Sequence, residues 1–323
     1  MSDPHKIVLL FPGQGSQEVG MGWAIAERFT CARELFEEAN GILGFNFRKL
    51  CVEGPEDELM LTKNSQPAIF ITSIACIRAL EEVAPDMPLP LAAAGLSLGE
   101  FSAHVAAGSF SFADGLKLVR QRGEAMQDAC DLEPSTMASI VGLDADTVQQ
   151  ICALFQDRDV IDLANLNCPD QIAISGRVGA VKAAMAEAEK RGAKKAVQLQ
   201  VSGAFHSRLM KPAEEKLRRA VAETKIIEPR YPVIANVSAL PVTRPEEIRE
   251  ALLTQLCSPV LWEKSMRYLM SRGTTLFMEV GHGRVLRGLM RRIDKDQKVV
   301  SVQDPDSLGK ALEELKDGQG GAA

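Results

Sequence analysis

The sequence predicts an α/β protein: a parallel-sheet, α/β-hydrolase-like core carrying an inserted ferredoxin-like α+β subdomain. Three observations predict it. Short β-rich apolar runs alternate with longer amphipathic stretches along both ends of the chain, which is the pattern of a parallel sheet covered by helices. The middle of the chain changes to a β-α-β-β-α-β order, the ferredoxin-like arrangement. A glycine-flanked serine stands where one of the apolar runs gives way to a helix.

The first pattern begins with "KIVLLF" (6–11) and continues through "LPLAAAG" (89–95), "YPVIANVSA" (231–239), "TLFMEVG" (275–281) and "KVVSVQ" (298–303). These runs are apolar on both faces, as strands covered by helices on two sides must be. Amphipathic stretches over 22–40, 68–83 and 247–257 supply covering helices. The insertion reads as strands "MASIVGL" (137–143), "VIDLANLN" (160–167), "QIAISG" (171–176) and "KAVQLQVSG" (195–203), with helices over 144–156 and 178–191. The expected division is therefore 1–133 with 205–323 for the large catalytic domain and 134–204 for the small one. The Gly-rich end, 316–323, is expected to be disordered.

The 323 residues, 46% of them hydrophobic, suffice for a substantial core. No apolar run reaches the roughly 18 residues of a membrane span, and the start lacks the pattern of a signal peptide. Seven scattered cysteines without a C-x-x-C pair point to reduced thiols in the cytoplasm and to no zinc site. A net charge of −6 argues against nucleic-acid binding. Nothing demands more than a monomer.

"AAAGLSLGEFSAH" (92–104) carries two signals in the same letters. Gly95–Gly99 fits the G-x-S-x-G elbow, and Ser97 with Glu100 fits an S-x-x-E capping box. The cap leaves the glycines unexplained, because Gly99 near a helix start costs backbone entropy without serving the cap. The elbow explains them: small residues let the chain turn sharply from strand to helix with the serine Oγ exposed. A nucleophilic serine needs a base. Of the four histidines, His5 lies in the N-terminal lead, and His104 lies about 10 Å along the following helix at 1.5 Å per residue. His206 and His282 both fall on loops after strands, and the residues alone leave them nearly tied.

"SFADGLKLVRQRGEAMQDAC" (111–130) reads as a helix with an S-x-x-D start at Ser111. Its apolar stripe is Phe112, Leu116, Val119, Gly123 and Met126, with Arg120 at the polar edge and Arg122 inside the apolar arc. A guanidinium held there needs an anion, either a protein carboxylate or that of a substrate, because an unpaired buried charge is costly. A carboxylate matches its fork with two parallel bonds.

Eight ordered blocks then give the chain a resemblance to the malonyl-CoA:acyl carrier protein transacylases, acyltransferases of fatty acid synthesis. They are "LLFPGQGSQEVGMG" (9–22), "TKNSQPAIF" (62–70), "GLSLGEFSAH" (95–104), "LVRQRGEAMQ" (118–127), "NLNCPDQIAISG" (165–176), "VSGAFHSRLMKPA" (201–213), "QLCSPVLW" (255–262) and "EVGHGRVLRGL" (279–289). The resemblance implies Ser97 as the acyl-accepting nucleophile and His206 as the base, since position 282 is usually proline in the family. It implies Arg122 as the holder of the malonyl carboxylate, the backbone N–H groups of Gln14 and Leu98 as the oxyanion hole, and the main-chain carbonyl of Gln255 as the group orienting the histidine. Gln66, Leu96, Asn167 and Phe205 become candidates for the pocket wall, and Phe205 resembles the malonyl-selecting members. The partners implied are malonyl-CoA and acyl carrier protein, with no cofactor and no metal.

Two positions depart from the family: 96, more often histidine, is leucine here, and 204, often proline, is alanine. An acidic carrier protein would need local positive charge on an anionic enzyme. "KRGAKK" (190–195) and "RGLMRRIDK" (287–295) are the candidates, with Lys194 and Lys195 favoured. The rival readings are a serine thioesterase or hydrolase, a non-catalytic carrier-binding scaffold, and an extender acyltransferase of polyketide synthesis. α/β-hydrolases place the histidine near the C-terminus, whereas His206 lies mid-chain just after the insertion.

Overall fold

The computed structural model describes residues 6–317. Among the described residues ten strands form two sheets. The larger sheet contains β1 (Ile7–Phe11), β2 (Ala92–Gly95), β7 (Val233–Ile234), β8 (Pro241–Val242), β9 (Leu276–Val280) and β10 (Val299–Val302), in the order β10-β9-β1-β2-β7-β8. All of its pairs are parallel except the short β7–β8 hairpin at the edge. The smaller sheet contains β3 (Ser135–Val141), β4 (Ile161–Cys168), β5 (Gln171–Arg177) and β6 (Lys195–Gln198), in the order β4-β5-β3-β6 and antiparallel throughout.

β1 is central and covered on both faces. Ile7, Leu9 and Phe11 enter the larger core with the long helix Thr62–Val83, and Val8 and Leu10 enter a second core with Trp262 and Met266. Burying such a run on both sides contributes about 1.5–3 kcal/mol per large apolar side chain. In the small sheet, Ala138, Ile140, Ile172 and Ile174 face two helices, Ala145–Gln156 and Val178–Lys190. The opposite face presents Met137, Asn165, Asn167 and Ala173 to a cleft between the two sheets. Backbone bonds between β4 and Val260, at 2.8 and 2.9 Å, tie the small sheet to the segment leading into the helix Trp262–Ser271.

Several expected boundaries move, each for a local reason. The strand expected over 231–239 shrinks to Val233–Ile234, because the Asn236 N–H donates to the Glu100 carboxylate at 3.0 Å instead of to a neighbouring strand. The strand expected from 89 starts at Ala92, since Pro90 has no N–H for a ladder. The strand expected over 195–203 stops at Gln198. The helix expected over 22–40 is two helices, Trp23–Arg28 and Thr30–Leu43, separated by the extended Phe29. The helix expected from 68 starts at Thr62 and keeps Pro67 inside it. Proline leaves the Lys63 carbonyl without its intrahelical donor, and Arg120 Nη1 fills that place at 3.0 Å. The helix expected over 247–257 runs Pro245–Thr254 and tightens into a 3₁₀ turn at Gln255–Cys257. Of the tail expected from 316, Lys316 and Asp317 end the helix Pro305–Asp317, and the rest lies outside the described residues.

Candidate active site

The cleft opens at the carboxyl ends of β1 and β2, where ligands gather in open α/β sheets. β2 ends at Gly95, and the helix Gly99–Ala107 starts four residues later. Both glycines are required by contact distances. A Cβ on Gly95 would lie 1.9 Å from the Gly99 carbonyl carbon, and one on Gly99 would lie 2.1 Å from the Phe11 oxygen. Between them Ser97 has φ +53°, a left-handed conformation that a non-glycine residue adopts only when its surroundings hold it there. The holder is Asn236: its Oδ1 accepts from the Ser97 N–H at 2.7 Å while its Nδ2 donates to the Gly95 carbonyl at 2.7 Å.

No capping box forms. The N-cap is Leu98, without a side-chain bond, and the Glu100 carboxylate turns inward to Asn236 and Gln255. The Ser97 side chain is left for other contacts. Its Oγ lies 2.8 Å from His206 Nε2, and His206 Nδ1 lies 2.9 Å from the Gln255 carbonyl oxygen. A carbonyl only accepts, so Nδ1 carries the proton and Nε2 presents its lone pair to the serine hydroxyl. Burial, and then the nearby Arg122 charge, push the His206 imidazole down to about 4, so it is neutral at pH 7.

Arg122, on the helix Phe112–Leu132, is 1% exposed. Its Nη1 donates to Gln66 Oε1 at 2.6 Å, and its Nη2 donates to Ser97 Oγ at 3.0 Å and to Gln255 Oε1 at 3.0 Å. The face of Phe101 lies 5.5 Å from its guanidinium carbon. No carboxylate is within ion-pair distance of it among the described residues, so neutral acceptors alone hold a buried cation. Burial lowers it to about 10, opposed by the Glu100 charge, and it stays protonated. The guanidinium therefore touches the serine directly.

The backbone N–H groups of Gln14 and Leu98 donate no hydrogen bond among the described residues. Gln14 lies in the loop after β1, where a Cβ on Gly13 would lie 2.3 Å from the Leu96 oxygen. The loop therefore passes within van der Waals reach of the elbow. The cleft, about 400 Å³, has Leu96, Phe205, Asn167 and Met126 in its wall beside Ser97 and His206. Gln66 lies behind that wall with Arg122. Leu96 packs on the second core, the cluster that contains Val8 and Trp262. Ala204 keeps an N–H that a proline would lack, and it donates to Ser135 Oγ at 3.1 Å.

His282 is elsewhere: its Nε2 meets Glu18 Oε2 at 3.0 Å. His104 is buried with Nδ1 on Ser109 Oγ at 3.0 Å, and His5 lies outside the described residues. Lys194 and Lys195 are exposed at the start of β6. Lys195 is four residues before Leu199, which lines the cleft, about 13 Å at 3.3 Å per extended residue. Arg287 and Arg291 line a separate basic cavity of about 780 Å³ on the far face of the helix Val285–Ile293, whose Val285 and Leu289 line the cleft. Among the described residues no cluster of His, Cys, Asp and Glu is placed to hold a metal, and no helix is long and apolar enough to cross a membrane.

Two site residues escaped the sequence reading. Asn236 looked like part of a strand, although an amide side chain in a largely apolar run was the available signal. Glu100 looked like half of a cap.

The comparisons with known proteins agree with one another. A family model described as the acyl transferase domain matches residues 8–317. The malonyl CoA-acyl carrier protein transacylase of Bacillus subtilis (strain 168) is 44% identical over 315 residues, 97% of this chain and 98% of its own. The structure of the malonyl CoA-acyl carrier protein transacylase from Coxiella burnetii is similar at TM-score 0.94 and 35% identity, covering 97% of this chain and 98% of that one. A type II PKS acyl-carrier protein in complex with its malonyl-transacylase matches at TM-score 0.92 and 36% identity, covering 96% of this chain and 99% of the other. On this agreement of sequence, fold and family model, the chain belongs to the acyl transferase family, among the malonyl-CoA:acyl carrier protein transacylases.

Proposed function

We propose that this chain moves a malonyl group from malonyl-CoA to the phosphopantetheine thiol of acyl carrier protein, through an ester on Ser97, in fatty acid biosynthesis. The observation that carries the reading is the chain Gln255 carbonyl, His206, Ser97, with Arg122 on the same serine oxygen. As Oγ attacks the thioester carbonyl, Nε2 of His206 takes its proton, and the Gln255 carbonyl stabilises the imidazolium that results. The N–H groups of Gln14 and Leu98 receive the oxyanion, helped by the N-terminus of the helix that Leu98 caps. The tetrahedral intermediate collapses, the C–S bond breaks, and the CoA thiolate leaves with the proton from His206. The carrier thiol then attacks the ester and the steps run in reverse, returning the hydrogen to Ser97 Oγ.

Arg122 gives the malonyl carboxylate two N–H bonds by giving up its contact with Ser97 Oγ, so the serine is released as the acid is held. Leu96, Phe205 and Asn167 form the wall around the acyl group, with Gln66 steadying Arg122. Lys194 and Lys195 meet the acidic carrier protein. No cofactor takes part, and the protein works as a cytoplasmic monomer. The likeness to a type II PKS malonyl-transacylase favours a second carrier, that of polyketide synthesis, by the same chemistry.

Initial rates of malonyl transfer, with malonyl-CoA and each holo-carrier varied in turn, test the proposal. Parallel double-reciprocal lines and no transfer by Ser97→Ala are expected. Intersecting lines, or a Ser97→Ala variant that still transfers, would overturn it.

A further inference from the structure

Glu100 is fully buried on the first turn of the elbow helix and touches none of the reacting atoms. Its Oε2 accepts from Gln255 Nε2 at 2.7 Å and from the Asn236 N–H at 3.0 Å, while Oε1 accepts nothing among the described residues. We infer that Glu100 is a positioning residue: it fixes which end of the Gln255 carboxamide faces Arg122, and thereby sets the preference for an acyl group that carries an acid. The inference rests on the proposed function and deepens it.

A carboxamide has a donor end and an acceptor end of nearly equal shape, so packing alone does not choose between them. Here hydrogen bonding chooses. Oε2 of Glu100 is an acceptor, so it takes the NH₂ end of Gln255, whose other hydrogen goes to the Ser97 carbonyl at 3.0 Å. The oxygen end is then left facing Arg122 Nη2 at 3.0 Å. Reversing the amide would set NH₂ against guanidinium and oxygen against carboxyl, two repulsive contacts in a buried site. With the oxygen toward it, Arg122 lies between two amide oxygens, those of Gln66 and Gln255, and its fork stays aimed at the acyl site. Without Glu100 the Gln255 NH₂ keeps only the longer bond to the Ser97 carbonyl, so the oxygen that helps aim Arg122 is held less firmly.

The geometry also predicts how the carboxyl behaves when it titrates. Burial pushes Glu100 up to about 7, against the pull of its two donors and of Arg122. The neutral form carries its proton on Oε1, the oxygen without a partner, and Oε2 remains an acceptor. Glutamine imitates that form: its oxygen takes the Oε2 place and its NH₂ the Oε1 place. Glu100→Gln therefore preserves the orientation of Gln255, whereas Glu100→Ala removes the acceptor and Glu100→Asp withdraws it by one methylene.

The test is kcat/KM for malonyl-CoA and for acetyl-CoA, with holo-carrier as acceptor, in the wild type and these three variants. The malonyl-to-acetyl ratio is the readout, because mere loss of folded protein lowers both rates together. A fall in the ratio of about tenfold or more is expected for Glu100→Ala, the loss of one well-aimed charged contact. Glu100→Asp, which keeps the charge and most of the volume, is expected to fall in the same direction even if the alanine variant does not fold. Glu100→Gln is expected to stay within about threefold of wild type. An unchanged ratio in Glu100→Asp, or a Glu100→Gln ratio as low as that of the other variants, would overturn the inference. A wild type that takes no malonyl group would defeat the proposed function first; one that does, with an unchanged ratio in the variants, would defeat only this inference.

Discussion

Replacing Arg122 by alanine should separate acyl groups by their charge. Arg122 is 1% exposed, so under the proposed function a malonyl carboxylate that reaches it would be desolvated and held by two parallel charged bonds. Removing one partner of such a buried pair costs about 3–5 kcal/mol. At 1.36 kcal/mol per decade, malonyl kcat/KM should fall about 150- to 5,000-fold. Acetyl has no acid to lose. For acetyl the change removes only the Nη2 contact with Ser97 Oγ, and it also relieves the charge that helps depress His206. Acetyl kcat/KM should therefore stay within about tenfold of wild type. The substitution leaves Gln66 Oε1 and Gln255 Oε1 without their donor, at about 1–3 kcal/mol each, so unfolding curves must confirm that the variant is folded at the assay temperature. Arg122→Lys, with a single point of charge, should recover part of the malonyl rate. Equal losses for malonyl and acetyl in a folded Arg122→Ala variant would refute the reasoning.

Other outcomes follow from the same geometry. Because His206 stays neutral down to about 4, kcat/KM should show its acid limb near that pH; a limb at the ordinary histidine value of about 6.5 would contradict the burial argument. Gly99→Ala should abolish acyl transfer and lower the melting temperature, because its Cβ would lie 2.1 Å from the Phe11 oxygen, and that oxygen is backbone. Burial pushes Glu279 up to about 7, so between about pH 4.5 and 7 the folded state holds a proton that the unfolded chain releases, and its contribution to stability declines as pH rises. Relative to wild type, Glu279→Gln should then gain stability with pH at about 1.4 kcal/mol per unit over that window, measured by urea unfolding. Reversing the charges of Lys194 and Lys195 together should raise KM for the carrier protein at low salt and leave KM for malonyl-CoA unchanged.

How much of this was legible in the sequence depended on how local each signal was. β1 stood out because a strand buried on both faces is apolar at every position, whatever surrounds it, and β9 is apolar at all but Glu279. The elbow stood out because Gly95 and Gly99 answer to a clash four residues apart. Arg122 stood out because helical rotation puts it in the apolar arc, but its partners did not: Gln66 and Gln255 lie 56 and 133 residues away. Asn236, 139 residues from the serine whose N–H it holds, reads as one more strand residue until the fold brings them together. The residues alone could not choose between His206 and His282. In the folded chain 206 is at the serine and 282 is paired with Glu18. The break at Phe29 and the helix running through Pro67 were missed because tertiary partners, such as Arg120 on the Lys63 carbonyl, decide them.

An ester on Ser97 is a covalent bond and can be weighed. The wild-type protein is mixed with malonyl-CoA in the absence of carrier protein, quenched in acid, and weighed intact and after digestion. One malonyl group is expected, borne on the peptide that contains Ser97, absent from Ser97→Ala and discharged by holo-acyl carrier protein. A malonyl group on another residue, or a protein that transfers malonyl without ever carrying it, would contradict the account.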